Sequence, residues 1–506
     1  MVNQSAAWLP HRARILQRWV HIEWTFDRMT LRLTQSRMSI VPLRSVALVM
    51  ALTTLITMGG LVGCDSKVSL PNASLPNIVL ITLDTTRADH LGCYGYFRDT
   101  SPAIDALAQE SIVFERCIVP MATTLPTHVS ILTATYPSEH GVSSNLQFGG
   151  VRFVETSKLR SFASVCREAG YETAAFVSAA PLKNVTGIET GFDFFDQPVG
   201  AERRAAATNQ AIFQWLNESD HQPFFLWVHY FDPHWPCEAP PPFDSMYKTD
   251  DNLEAYLTER QVPDQAPRPV ANVVDDARQL TNAYDGEIRY MDDQLDKLMQ
   301  RLRARSDYGN TVLLIVGDHG EGLCQHGRAA HGETWHEQIR VPFMIRVPGA
   351  PPRRVLNVVS AVDTIPTLLG LIQNPSLDLF LSHASGRDVL KASFQATPVF
   401  SQDTGYRIKL PDYKYCLTTD QWKYFMIRVG PNSIKEQLYD LSADPFELHD
   451  VARIQEQTIR KFRSALFVQL DHQQKRTKAL RAGTPAASGP VDPEIIQQLK
   501  SLGYAE

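Results

Sequence analysis

Asn77-Ile-Val-Leu-Ile-Thr-Leu-Asp84 is an apolar run that ends in an acid. It has the length of a strand and does not alternate with polar residues. It therefore reads as a central strand of a parallel sheet, covered on both faces. The same grammar recurs in Phe224-Phe-Leu-Trp-Val-His-Tyr-Phe-Asp232 and in Thr311-Val-Leu-Leu-Ile-Val-Gly-Asp318. Glu172 to Ser178 reads as another strand, Ile112 to Phe114 as a short one, and Gln338 to Arg346 resumes the sheet. Helical stretches lie between them. Ser101-Pro102 opens one; Ser161 to Gly170 is a second. Asp275 to Arg305 is a long one, with Leu280, Tyr284, Ile288, Met291, Leu295, Leu298 and Leu302 as a packing stripe. Alternation of this kind predicts an α/β fold with a mainly parallel central sheet flanked by helices. In such folds function gathers beyond the carboxyl ends of strands. Asp84, Asp232 and Asp318 stand there.

Met121-Ala-Thr-Thr-Leu-Pro-Thr-His-Val-Ser-Ile-Leu-Thr-Ala134 reads as a loop that tips into a helix. Leu125, Val129 and Leu132 recur at helical spacing, and Pro126 suits a first turn. Thr124 then sits at the helix N-terminus, where N–H groups and the helix dipole favour an anion. Its hydroxyl is either a helix cap or a metal-assisted nucleophile on a sulfate or phosphate ester. Asp318 and His319 are adjacent, and Gly317 and Gly320 let the backbone approach closely. His140, Asn145, Lys183, His229, His234 and His331 lie in or beside the loops of the same sheet edge. Each is open to an ordinary structural reading as well.

A chain of 506 residues exceeds one hydrophobic core. Residues 1–64 hold seven arginines and two acids; the remainder carries 42 basic and 53 acidic side chains, a net −11. An acidic body argues against nucleic acid as the partner. Ser45 to Gly63 is an uncharged apolar run, preceded by Arg44 and followed by Cys64. It reads as an export signal, with an uncleaved membrane helix as the alternative. Leu61-Val-Gly-Cys64 resembles the bacterial lipoprotein signal. That implies export and a lipid anchor holding the protein to the extracytoplasmic face of a bacterial membrane. The remaining cysteines match no zinc spacing. The expected units are residues 1–64 as extension and signal, 65–76 as tether, 77–399 as the α/β domain and 400–506 as a C-terminal subdomain. The last should hold strands at Tyr413–Thr418, Trp422–Arg428 and Gln437–Leu441, with helices at Arg453–Leu470 and Pro493–Leu502, as a small antiparallel sheet with helix. Pro240 to Val270, rich in proline and acids, reads as a surface excursion that shapes a substrate pocket.

Asn77 to Gly95, Thr124-x-Pro126-x-His128, Leu132-Thr-Ala-x-Tyr-Pro137, Gly317-Asp-His-Gly-Glu321, His331-Gly332 and Gln338-Ile-Arg-Val-Pro342 together resemble the sulfatases of the alkaline phosphatase superfamily. Gln437-Leu-Tyr-Asp-Leu-x-x-Asp-Pro445 resembles their C-terminal signature. The resemblance runs from about 77 to 450, in family order, and implies the same fold. It also implies that Asp84, Asp318, His319 and Thr124 hold a divalent metal, with Thr85 beside them, and that Thr124 is the nucleophile. His128 stands where sulfatases place an arginine that steadies the nucleophile. His234 would contact the substrate's oxygens or protonate the leaving group, and His331 stands at a leaving-group lysine. His229, Asp232 and Asn145 would support the catalytic groups or the substrate.

The departures redirect the chemistry. Sulfatases oxidise a Cys or Ser at position 124 to formylglycine; a threonine carries a β-methyl and cannot follow, so a plain hydroxyl must act. Thr85 replaces a second aspartate, and His319 replaces an asparagine. One metal ion, or two, is implied. Calcium prefers oxygen ligands, whereas imidazole suits manganese or zinc. The expected activity is hydrolysis of a sulfate or phosphate ester on a small molecule, glycan or lipid. A phosphodiesterase or phosphoethanolamine-type transferase, or a non-catalytic surface binding protein, are the alternatives.

Overall fold

The computed structural model describes residues 75–145, 152–218, 223–264, 276–403, 413–428 and 433–482. The expected signal, the tether up to residue 74 and the expected Pro493–Leu502 helix lie outside them. Among the described residues no helix is long and apolar enough to cross a membrane.

The strands are β1 (Asn77–Leu83), β2 (Ile112–Ile118), β3 (Glu172–Phe176), β4 (Phe194–Asp196), β5 (Phe224–Tyr230), β6 (Thr311–Gly317), β7 (Arg340–Val341), β8 (Phe343–Arg346), β9 (Arg353–Ser360), β10 (Val399–Gln402), β11 (Tyr413–Thr418), β12 (Trp422–Arg428) and β13 (Ile434–Asp440). The large sheet runs β4-β3-β5-β1-β6-β8-β2-β7, with β9 beside β2. From β4 to β6 every neighbour is parallel. β8 is antiparallel to β6 and β2, β7 is antiparallel to β2, and β9 runs parallel to β2. The sheet is thus mainly parallel, as the apolar runs predict, with an antiparallel turn of direction on one side.

Every residue of β1, β5 and β6 is buried, which explains their unbroken apolar sequences. Ile78 and Leu80 face one layer of core; Val79, Ile81 and Leu83 face the other. The first layer is closed by helices Thr124–Thr133, Phe162–Glu168 and Thr364–Ile372, the second by Pro102–Ala108, Ala205–Glu218 and Ala277–Arg303. Leu125, Val129 and Leu132 are all buried on the first layer; each contributes about 1.5–3 kcal/mol relative to exposure. The long stripe from Leu280 to Leu302 is buried on the second. That helix begins where Asp276 caps the N–H of Arg278.

The register aligns the strand ends. Leu83 is level with Tyr230 on β5 and with Gly317 on β6. Asp84 N–H then donates to Tyr230 O at 2.9 Å and Asp318 N–H to Leu83 O at 3.3 Å. Two aspartates distant in sequence are brought to one level of one edge.

β10 to β13 form a separate antiparallel sheet, which opens one strand earlier than Tyr413. It is tied to the large domain by Ser401 Oγ donating to Val119 O and Gln402 N–H to Pro120 O. The helix beside it runs Glu456–Leu480, ten residues beyond its expected end. The 240–264 stretch lies at the surface, as expected, and carries a short helix. Its helix Asp251–Glu259 is capped by Asp250 and buries Leu253 and Leu257, and Tyr256 Oη reaches Asp89 and His90. Among the described residues Cys93, Cys117, Cys166, Cys237, Cys324 and Cys416 form no disulfide.

Candidate active site

The turn after β1 carries the first ligand. Asp84 is buried, and one carboxylate oxygen lies 3.2 Å from His229 Nε2. Ser178 N–H donates to His229 Nδ1 at 3.2 Å, so Nδ1 carries the lone pair and Nε2–H donates to Asp84 Oδ2. His229 therefore orients a ligand from behind. Burial holds it well below the usual histidine range, that is, neutral.

Thr85 follows with φ +48°, a left-handed conformation that costs a β-branched residue on the order of 1–3 kcal/mol. Two contacts hold it. Its N–H donates to Asp318 Oδ1 at 3.1 Å, and Tyr284 Oη donates to its carbonyl at 2.6 Å. Tyr284 belongs to the long helix's stripe, which the sequence presents as packing alone. A buried tyrosine needs a partner for its hydroxyl, and that was the available signal.

Asp318 and His319 come from the end of β6. Asp318 Oδ1 also accepts from His319 N–H at 2.7 Å. His319 Nδ1 lies 3.0 Å from Gly320 O, so Nδ1 holds the proton and Nε2 offers a lone pair. Asp84, Asp318 and His319 place one ligand atom each within 4.8 Å of one another. Asp84 Oδ1, Thr85 Oγ1 and Asp318 Oδ2 are buried and meet no hydrogen-bond donor among the described residues. Burial raises both carboxyl groups well above their ordinary range, and for Asp84 the neighbouring Asp318 charge adds to it. Two donor-less acids beside an imidazole lone pair fit a divalent cation. The mixed oxygen and nitrogen set admits manganese or zinc more readily than calcium.

Thr124 opens the helix Thr124–Thr133, and its hydroxyl lies 3.4 Å from His319 Nε2. It faces the cluster and does not cap the helix; the cap position is Thr123, whose side chain makes no cap bond. Asn145 Oδ1 accepts Leu125 N–H at 2.8 Å, so this helix end is capped from outside, and Asn145 Nδ2 is buried without a partner among the described residues. His128 Nδ1 lies 2.7 Å from Thr124 O, one helical turn back. It is buried and pushed down to about 4, hence neutral. It braces the backbone of Thr124 but brings no cation to the position where sulfatases carry arginine.

A wall of imidazoles faces this group. His331 lies 4.2 Å from His319 and 5.3 Å from His234, centroid to centroid. Glu321 Oε2 is 3.2 Å from His331 Nδ1. His234 stacks on Phe231 at 4.3 Å, and its Nδ1 lies 2.6 Å from Trp235 O. Burial holds His234 well below the usual range. Three of the residues open to either reading make structural bonds. Both oxygens of Asp232 accept Ala205 N–H, at 3.0 and 3.1 Å, at the start of the Ala205–Glu218 helix. Lys183 Nζ donates to Val199 O, and His140 bonds Ser130 and Val142.

Gly320 is required by its neighbours. A Cβ there would lie 2.1 Å from Glu337 O, a distance that only a backbone shift relieves. Gly320→Ala is expected to lower both metal affinity and turnover at least about tenfold, since ligand shells tolerate little displacement. Metal titration of the variant by calorimetry checks this.

Fold and site together place a helix-borne hydroxyl beside a cluster able to hold a cation, at the carboxyl edge of a mainly parallel sheet. The sulfatase family model matches residues 76–374, more than half of the chain, and the chain belongs to the sulfatase family; it is a sulfate ester hydrolase of that family. The sequence is 24% identical to an arylsulfatase of Clostridium perfringens over 459 residues, covering 75% of this chain and 91% of the relative. The phosphonate monoester hydrolase of Agrobacterium radiobacter superposes with a TM-score of 0.63 at 20% identity, covering 82% and 99% of the two chains. The putative sulfatase yidJ from Bacteroides fragilis gives 0.66 at 20% identity, covering 81% and 99%. At these identities the structural likenesses establish the fold.

Proposed function

We propose that the protein hydrolyses a singly charged sulfate or phosphoryl ester through the unmodified hydroxyl of Thr124. The observation that carries this reading is the placement of Thr124 Oγ1 against His319 Nε2, beside two donor-less carboxylate oxygens. A divalent cation held by Asp84, Asp318 and His319 would supply the positive charge that favours an alkoxide and offsets the charge of the transferred group.

The chain's own residues supply the rest. His128 and Asn145 fix the backbone at residues 124 and 125. Thr124, its hydroxyl proton released to solvent, bonds through Oγ1 to sulfur or phosphorus as the ester's bond to its alcohol breaks. His331, oriented by Glu321, delivers the proton to the departing oxygen. His234 is neutral with its lone pair on Nε2, so it accepts the proton of the water that releases the Thr124 ester. General acid–base steps of this kind contribute roughly 10²–10⁴-fold each.

The charge state of the ester follows from the lining. Positions 128 and 331 carry imidazoles where sulfatases carry arginine and lysine. Sulfate monoesters, phosphodiesters and phosphonate monoesters bear one negative charge; phosphate monoesters bear two near neutral pH. A threonine ester also lacks the hemiacetal exit of formylglycine, which favours phosphorus over sulfur. A panel of these four ester classes, run with manganese, zinc and calcium, tests this. The expected order places phosphodiesters or phosphonates first and phosphate monoesters last; a preference for phosphate monoesters would overturn it. Leu61-Val-Gly-Cys64 supports an exported, lipid-anchored protein acting outside the cytoplasm.

A further inference from the structure

A cavity of about 240 Å³ lies between the large domain and the turn that follows β13, and the reaction described above does not use it. None of Asp84, Thr124, Asp318 and His319 lines it. Four of its lining residues are arginines: Arg87, Arg116, Arg260 and Arg340. The fold gathers them from separate segments. Arg116 is on β2 and Arg340 on β7; Arg340 is level with Ile118, two residues from Arg116, so both leave one face of the sheet. Arg260 ends the helix Asp251–Glu259, and Arg87 follows the turn after β1.

The guanidinium groups are held in place without losing their charge to the protein. Arg116 donates to Leu356 O and Asp420 O, and Arg340 donates twice to Glu115 O, all neutral carbonyls. Arg260 is clamped between the rings of Tyr256 and Phe446, 3.5 and 4.2 Å from their centres. Two acids, Asp89 and Glu337, share the lining, so four cations less two anions leave a surplus of two positive charges. Both acids are engaged already. Asp89 takes Arg87 Nε and Nη2 at 2.9 and 2.8 Å, and Glu337 lies 3.1 Å from His326 Nδ1. Asp420 and Glu259 also pair with Arg116 and Arg260, but both acids are exposed, where water weakens such pairs. Arg116 is 30% exposed and Asp89 23%, and Pro445 is exposed, so the cavity is open to solvent.

We propose that this cavity binds a tetrahedral oxyanion, sulfate or phosphate, free or as the terminal group of a larger molecule. A guanidinium keeps its proton in a protein, so the gathered charges repel one another. An oxyanion among them relieves that repulsion and takes two-donor contacts from the planar groups. The site stands apart from the Thr124 cluster and does not depend on the ester-hydrolase reading.

Calorimetric titration of the full-length protein with inorganic phosphate or sulfate, in chelator and at low salt, tests this. Without a metal the Asp84–Asp318 cluster is acidic and does not attract an anion, so the single bound ion expected per chain reports the cavity. Arg260→Gln and Arg340→Gln should each weaken that binding about 10- to 100-fold, the yield of one charge-assisted contact. Arg340→Lys should recover part of it, because an ammonium keeps the charge and lacks the two-donor edge. Where a variant is less stable, the rise of its melting midpoint with added phosphate serves in place of the titration: clear in the parent, small in the glutamine variants. Glucose 6-sulfate and glucose 6-phosphate separate the two sources. Tighter binding than the free ion marks an attached group, and equal or weaker binding marks the ion itself. No binding of ion or sugar ester in chelator, or binding that both glutamine variants leave unchanged, would overturn the site.

Discussion

Thr124→Ala is expected to lower kcat by roughly 10⁴–10⁶-fold, the range seen when a hydrolase loses its nucleophile. The fold should persist. Thr124 is buried with its hydroxyl 3.4 Å from His319 Nε2, and the helix it opens is held by Leu125, Val129 and Leu132. The thermal midpoint should therefore stay within a few degrees of the parent. Thr124→Ser keeps the hydroxyl and should keep measurable turnover. A relic that only binds ligands would show no such contrast. Steady-state kinetics on the preferred ester, with melting curves alongside, make the comparison.

Removal of the metal should steepen the fall of stability with rising pH. Asp84 and Asp318 are both raised above the ordinary carboxylate range, first by burial. The folded state therefore holds protons that the unfolded chain has already released. Stability of the metal-free protein is greatest below the ordinary carboxylate pKa and falls as pH rises toward the raised folded values. A cation replaces those protons and removes the part of the slope that Asp84 and Asp318 supply; at one hundred times its dissociation constant it adds about 2.7 kcal/mol. Asp318→Asn keeps Oδ1, which accepts from Thr85 and His319, and removes one charge. In chelator at pH 8 this variant should melt above the parent by roughly 2 °C or more, with the gap closing toward pH 5. It should gain little from added metal and lose turnover. Scanning calorimetry of both proteins at three pH values, with and without metal, tests each part. A metal-free parent whose midpoint does not fall between pH 5 and 8 would contradict the coupling of the two acids.

The parts of this arrangement that were legible in the sequence are those written locally. β1, β5 and β6 are covered on both faces, so their sequences are unbroken apolar runs, and the acids that end β1 and β6 meet because the register is level. β9 was not legible. Most of Arg353–Asn357 is exposed, so no apolar run marks it. Thr364–Ile372 contains Pro366 and Gly370, which read as breakers, although a proline in the first turn is harmless. Ala205–Glu218 buries only a few large apolar residues and was missed. That omission also misplaced Asp232: a strand-end acid was expected near substrate, whereas it caps the helix that was not seen. Ser178 and Tyr284 act through bonds to segments distant in sequence, His229 and Thr85. No spacing rule carries such pairings.

The most direct measurement is the mass of the peptide spanning Met121–Ala134, taken from resting enzyme and from enzyme quenched by acid during turnover. The resting peptide should carry the mass encoded by an unmodified threonine, and the quenched one should gain a single sulfuryl or phosphoryl group on Thr124. A modified residue 124 in the resting protein, or a transferred group found on another side chain while Thr124→Ala still turns over, would contradict the account.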